Sequence, residues 1–186
     1  MSDPYFFGYG SLVNLSTHHY HDPKPAGLKG WRRIWLNTHM RGSAFLSVHR
    51  VETAVINGII ARVPDADWVG LDMRETGYAR LNATNQILID TNRPDDCAVY
   101  VVPRTRETDI GEKSPILLSY LDVVLQGFVQ IYGNDGLDHF FETTDGWDRP
   151  IQNDRHAPIY PRHRQLNPKE VRLVDALLRD HNMEII

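Results

Sequence analysis

The sequence predicts an α+β fold, a largely antiparallel sheet or small barrel packed by helices. Three observations lead there. Strand-like runs dominate the first half of the chain, and helical periodicity takes over after Pro103. With 186 residues, 41% of them hydrophobic, the chain is long enough to bury one proper core. No internal repeat or long linker divides it. The expected organisation is a single domain over 1–186, with a helical C-terminal extension from about residue 134.

Taken in order, Tyr5 to Tyr9 reads as a short buried strand, aromatic and stopped by glycine. Ser16 to His21 is polar and shows no clear period. Gly30 to Met40 alternates imperfectly around Trp31, Ile34, Trp35 and Leu36, which suits a half-buried strand. Ala44 to Val51 and Ala54 to Val63 read as two further strands, with Glu52-Thr53 as the hairpin turn between them. The period then changes. "VPDADWVGLDMRETG" has Pro64 near its start, acids in its first turn and Gly77 as a stop, the marks of a short helix. Tyr78 to Asp90 and Ala98 to Pro103 return to strand character. "SPILLSYLDVVLQGFVQIYG" predicts a helix from Ser114-Pro115 to Gly133, and Gly136 to Thr143 another. Turn-forming residues place Asp145 to Pro161 on the surface. "NPKEVRLVDALLRDH" ends the chain as a helix with Asn167 as N-cap, Pro168 at N1 and Glu170 at N3.

Composition excludes several functions. Charged residues make up 24% and the net charge is −4, which argues against disorder and against a nucleic-acid or anionic-membrane partner. Between His18 and Arg50, Asp22 is the one acid against Lys24, Lys29, Arg32, Arg33, Arg41 and Arg50. Such a run is either a solvated strand surface or a patch that draws in a small anion. The single cysteine, Cys97, rules out an intramolecular disulfide and a cysteine zinc cage, so a reducing, cytoplasmic setting is expected. No apolar run approaches the ~20 residues of a membrane span. The opening MSDPYFF is acidic where a secretory signal is basic.

Three stretches bear on chemistry. In "GYGSL", Gly8 and Gly10 permit φ > 0 and a close approach to the main chain, so successive N–H groups can form a nest for a carboxylate. From the glycines alone, a plain strand-to-loop turn is the more economical account. The spacing fits neither a dinucleotide fingerprint nor a P-loop. Ser11 lacks the Gly-x-Ser-x-Gly elbow of a hydrolase nucleophile. In "GLDMRETGYAR", Trp68, Leu71, Asp72 and Glu75 share one helical face, which carries Glu75 toward apolar surroundings at the last turn. Burial there would raise its pKa into a range useful for proton transfer. A surface glutamate paired with Arg74 or Arg80 is the plainer reading of the same spacing. Third, His18, His19 and His21 supply three imidazoles, but not on one helical face and with no matching carboxylate ligand, so no metal is expected there. His156 and His163 carry no stronger signal.

Together, the first two stretches resemble the γ-glutamylcyclotransferase-like superfamily. Its members carry an aromatic strand running into Tyr-Gly-Ser, here Phe6 to Leu12. They also carry a Leu-Asp-x-x-Glu helix followed by an aromatic residue and a strand, here Leu71 to Arg80. A proline, then a tyrosine seven residues before a glycine, is echoed by Pro115, Tyr120 and Gly127. The likeness runs from Tyr5 to Gly133, with Gly8 where some relatives have alanine. The resemblance implies a small mixed β-barrel with packed helices. It implies an enzyme that cyclises a γ-glutamyl compound to 5-oxoproline and releases an amine, without metal or organic cofactor. By position, Glu75 is the expected acid/base. Gly8, Tyr9, Gly10, Ser11 and Leu12 are expected to hold the glutamyl head, and Tyr120 to line the same pocket. The expected partner is a small γ-glutamyl molecule, whether glutathione, a γ-glutamyl amino acid or a γ-glutamyl amine. Its leaving part is expected against loops outside the motifs, such as Asp145 to Pro161. The alternative is a protein of the same fold that binds a small anionic or γ-glutamyl ligand without turning it over.

Overall fold

A computed structural model describes residues 3–108 and 112–186. The chain enters through β1 (Tyr5–Gly8) and two 3-10 turns, Ser11–Val13 and Leu15–Thr17. A long hairpin follows, β2 (His21–Thr38) and β3 (Arg41–Arg62). Then come α1 (Trp68–Arg74), β4 (Ala79–Asn82), β5 (Ile87–Leu88), β6 (Cys97–Val101) and β7 (Ile116–Leu117). The remainder holds α2 (Leu118–Tyr132), α3 (Asp135–Glu142), β8 (Thr144–Asp145), β9 (Ile151–Gln152) and α4 (Pro168–Asp180).

Seven strands form one mixed, largely antiparallel sheet in the order β4-β6-β1-β3-β2-β5, with β8 added alongside β2. The expected α+β class holds, and the expected barrel takes the form of a curled half-barrel whose strand path is open among the described residues. β1 lies in the middle, antiparallel to β3 and parallel to β6. That explains why Phe6 and Phe7 are both buried although they point to opposite faces. β7 and β9 pair in parallel as a separate ribbon.

The hairpin corrects two sequence expectations. No turn forms at Glu52-Thr53; one strand runs from Arg41 to Arg62, and the reversal is at His39-Met40. The polar pair marks a bulge instead. Between the pairs Lys29↔Val55 and Trp31↔Arg50, β2 contributes only Gly30 while β3 contributes Val51 to Ala54. Gly30 takes φ +85°, which only glycine adopts without strain. The bulge also switches the buried parity of β2, from Ala26 and Leu28 before it to Trp31, Arg33 and Trp35 after it. A single period-two pattern therefore cannot be read across Gly30, and the strand starts at His21, not at Gly30.

The helices need smaller corrections. Pro64 opens a 3-10 turn, and α1 itself starts after Asp67, whose side chain accepts from the Val69 N–H at 3.1 Å. The helix expected from Ser114 begins at Leu118, because Ile116 and Leu117 pair with Ile151 and Gln152. Tyr78 to Asp90 is not one strand but β4 and β5 around a 3-10 turn. α4 forms as read, with a complete capping box between Asn167 and Glu170. α2 is buried along Leu121, Val124, Leu125 and Phe128, each side chain contributing roughly 1.5–3 kcal/mol of burial. It approaches the first 3-10 turn at Gly127, where a Cβ would stand 2.6 Å from the Asn14 nitrogen. Asn14 answers by donating to the Val123 carbonyl at 2.9 Å.

Candidate active site

The loop after β1 is shaped by close approaches, not by left-handed backbone. Gly10 has φ −128°, and Gly8 is not among the positive-φ glycines, so the φ > 0 reason expected for both is corrected. The space around them supplies the real reason. A Cβ on Gly8 would meet that of Leu12 at 2.7 Å, and one on Gly10 would meet the Tyr120 hydroxyl at 2.7 Å. Val13 and Asn14 donate back to the carbonyls of Gly10 and Ser11. The N–H groups of Gly10, Ser11 and Leu12 make no main-chain bond among the described residues.

Arg33 secures the loop from below. This side chain of β2 is fully buried between the rings of Phe128 and Phe140, each 4.9 Å from its guanidinium carbon. Its Nε donates to the Tyr9 carbonyl at 2.9 Å, and other nitrogens reach Thr143 and the Asn57 carbonyl. Burial without a carboxylate partner lowers its pKa to about 9, so it still carries its charge at neutral pH. His18 secures the loop from the side. One ring nitrogen bonds the Leu12 carbonyl at 2.9 Å and the other accepts from the Tyr20 N–H, while burial lowers its pKa to about 4. Both nitrogens are occupied by main chain, so the three-histidine metal reading lacks its first ligand. His19 is exposed, and His21 pairs with Arg62 at the start of β2.

Glu75 caps the C-terminus of α1, where its N–H bonds the Leu71 carbonyl. Its side chain is 16% exposed. Asp72 was expected on the same buried face, but it is exposed and accepts from the Tyr100 hydroxyl instead. Both readings of Glu75 hold in part: it is buried, and Arg74 pairs with it, Nε to Oε1 at 3.1 Å. Arg74 also donates to the Thr17 carbonyl at 2.8 Å and to the Thr17 hydroxyl, tying α1 to the second 3-10 turn. Burial raises the Glu75 pKa, and the charges of Arg74 and Arg162 act against that rise. Oε2 has no hydrogen-bond partner among the described residues.

Two adjoining hollows meet at this carboxylate. The inner one is lined by Gly8 to Leu12 together with Tyr78, Tyr100 and Tyr120. The outer one is lined by Ser43 to Leu46, Arg74 to Thr76, and Tyr160 to Arg162. Ser11, Leu46, Glu75, Tyr78 and Tyr120 belong to both. All seven residues singled out in the sequence thus line one cleft. Tyr120 stands from α2 with its ring edge-on to that of Tyr160, 4.9 Å away. Burial holds the hydroxyls of Tyr9, Tyr78 and Tyr120 protonated.

Sequence reasoning reached only part of the outer wall. Tyr160 and Pro161 close the Asp145 to Pro161 stretch expected beside the leaving part, whereas Arg162 lies just beyond it and Arg74 was weighed only as the partner of Glu75. Four members of the hairpin's basic run are engaged elsewhere than at the cleft. Lys24 pairs with Asp22, Arg32 with Asp145, Arg33 is in the core, and Arg50 lies over Trp31. No group of three potential metal-ligating side chains occurs among the described residues, and no helix there is long and apolar enough to cross a membrane.

Comparison with known proteins follows the same outline. Among solved structures, a γ-glutamyl cyclotransferase superposes with a TM-score of 0.61 at 12% identity, over 95% of this chain and 99% of that one. YkqA from Bacillus subtilis gives 0.58 at 18% identity, over 78% of this chain and 57% of its own length. An uncharacterised protein from Homo sapiens gives 0.58 at 11%, over 94% and 99%. At these identities the likeness is one of fold. No curated protein sequence matches. The ChaC-like protein family model matches residues 4–117, the stretch that carries β1, the Gly8–Leu12 loop and Glu75. The chain therefore belongs to the ChaC-like protein family.

Proposed function

We propose that this protein cyclises a γ-glutamyl compound to 5-oxoproline and releases an amine, with Glu75 as the proton carrier. One observation carries the reading. Glu75 is the only acidic side chain lining the two hollows, among the described residues, and it sits where they join. A glutamyl head held in the inner hollow by the N–H groups of Gly10 and Leu12, with the Ser11 N–H bonded to the Tyr120 hydroxyl beside them, presents its γ-carbonyl at that junction. The leaving half then occupies the outer hollow.

The nucleophile lies within the substrate, so the protein has to fold it and move protons. Ionised Glu75 takes a proton from the α-ammonium, and the freed nitrogen attacks the γ-carbonyl carbon. Glu75 returns the proton to the departing nitrogen as the old C–N bond breaks. A second proton follows the same route, from the ring nitrogen to the released amine. Nothing is oxidised and no water is consumed. Arg74 suits this role: it occupies Oε1, keeps the buried acid ionisable, and leaves Oε2 unbonded among the described residues.

The Arg74–Glu75 ion pair also favours a second reading, a protein that binds a γ-glutamyl ligand and stops there. A panel of γ-glutamyl compounds assayed for 5-oxoproline separates the two. Turnover is expected, with Glu75→Gln losing roughly 10²–10⁴-fold, the usual size of a general acid–base contribution. A compound that raises the melting temperature with no 5-oxoproline formed supports binding alone. Undiminished turnover by Glu75→Gln removes the mechanism.

A further inference from the structure

We infer that Arg162 is a specificity-determining residue of the outer hollow, reading a carboxylate on the leaving half of the substrate. The inference rests on the function proposed above. Arg162 lines the outer hollow beside Tyr160 and Glu75. Among the described residues no hydrogen bond or close ion pair holds its guanidinium, though its charge acts on Glu75, whereas Arg74, the other arginine of the hollow, is bonded to Glu75 and Thr17. Two guanidinium groups thus face one carboxylate, and the hollow carries an excess positive charge that a second anion would balance.

The backbone around Arg162 is fixed, which gives its side chain a defined origin. Asp154, 4% exposed, accepts from the Ser119 N–H, the Ser119 hydroxyl and the Ile159 N–H at 2.5–2.8 Å. Ser119 in turn accepts from the Tyr160 N–H at 3.2 Å. On the other side, Arg164 donates to the Ser16 carbonyl and hydroxyl. Arg162 stands between these tethers in the chain and lines the outer hollow but not the inner one. It lies outside residues 4–117, so the family match does not account for it.

The test compares γ-glutamylglycine with γ-glutamylglycinamide, which differ only in the leaving carboxylate. The parent should prefer the acid in kcat/KM. In Arg162→Gln that preference should fall by about ten- to a hundredfold, the size of one charge-assisted hydrogen-bonded pair. Arg162→Lys, which keeps the charge but loses the fork, should fall between. Equal losses on both compounds would mean that Arg162 serves the shared glutamyl head, and would overturn the assignment. So would an unaltered preference. If the parent turns over neither compound, the cyclisation reading is decided by the wider γ-glutamyl panel, and thermal shift with the same pair decides the role of Arg162. Stronger stabilisation of the parent by the acid, abolished in Arg162→Gln, supports the assignment; equal stabilisation by both sinks it.

Discussion

The two walls of the cleft are built in different ways. The inner wall hangs on the middle of the sheet. Gly8 to Leu12 continue directly from β1, which is paired on both sides, and Arg33 and His18 hold the loop's carbonyls. The outer rim, Tyr160 to Arg162, belongs to no helix or strand. It is held by side-chain bonds to main chain, above all those of Asp154 and Ser119. A wall embedded in a sheet fixes positions to fractions of an ångström, as proton transfer needs. A wall hung from a few polar tethers can change its side chains without disturbing the fold, which suits the reading of a leaving group.

That contrast can be broken at four points. The largest effect is expected where the walls are tied together. Arg74→Met leaves Glu75 buried without its counter-charge, so urea unfolding at neutral pH should show a loss of about 3–5 kcal/mol. The acidic limb of kcat/KM should also move to higher pH, since the group that opposes the raised pKa is gone. A loss under about 1 kcal/mol would show that this pair does not couple the walls.

Next comes the rim. Asp154→Ala strands the buried N–H of Ser119 and takes the acceptor from the more exposed N–H of Ile159, at a cost of roughly 1–3 kcal/mol. If the rim reads the leaving group, KM should rise while the fold survives and kcat changes less. Equal damage to kcat would place Asp154 with the inner wall.

Gly10→Ala probes the inner wall itself. The added methyl meets the Tyr120 hydroxyl, for about 1–3 kcal/mol of strain and a marked loss of rate. Removing that hydroxyl in Gly10→Ala/Tyr120→Phe should recover part of the stability. Strict additivity of the two changes would deny the contact.

The smallest effect is one of sign. Burial raises the folded-state pKa of Glu75, so its ionisation opposes folding. The parent keeps its full stability below the ordinary glutamate pKa and loses some as the pH rises through the raised value. Glu75→Gln escapes that loss, so its melting temperature should equal or slightly exceed the parent's at neutral pH and converge with it in acid. A clearly lower melting temperature for Glu75→Gln at neutral pH would show that the ion pair outweighs desolvation.

Some of this was legible in the residues and some was not. The α+β class, the buried first strand and the capping box of α4 follow from local signals, because side-chain period and cap chemistry act over a few residues. The bulge at Gly30 was not legible, since it reverses the buried parity and erases the pattern that would reveal it. Nor was the start of α2, where Ile116 and Leu117 pair with residues some thirty-five positions away. Glu75 and the Gly8–Leu12 loop stood out as motifs. The role of the glycines was misjudged, because φ is a local property but a close approach depends on what arrives from elsewhere.

The amino-acid order alone determined which elements form and which single acid deserved suspicion, for these depend on neighbours in the chain. Only the tertiary structure decided that Glu75, the Gly10 turn and Tyr120 line one hollow, and that Arg162 lines the one beside it. Those are distances between residues far apart in the chain, and packing sets them, not periodicity.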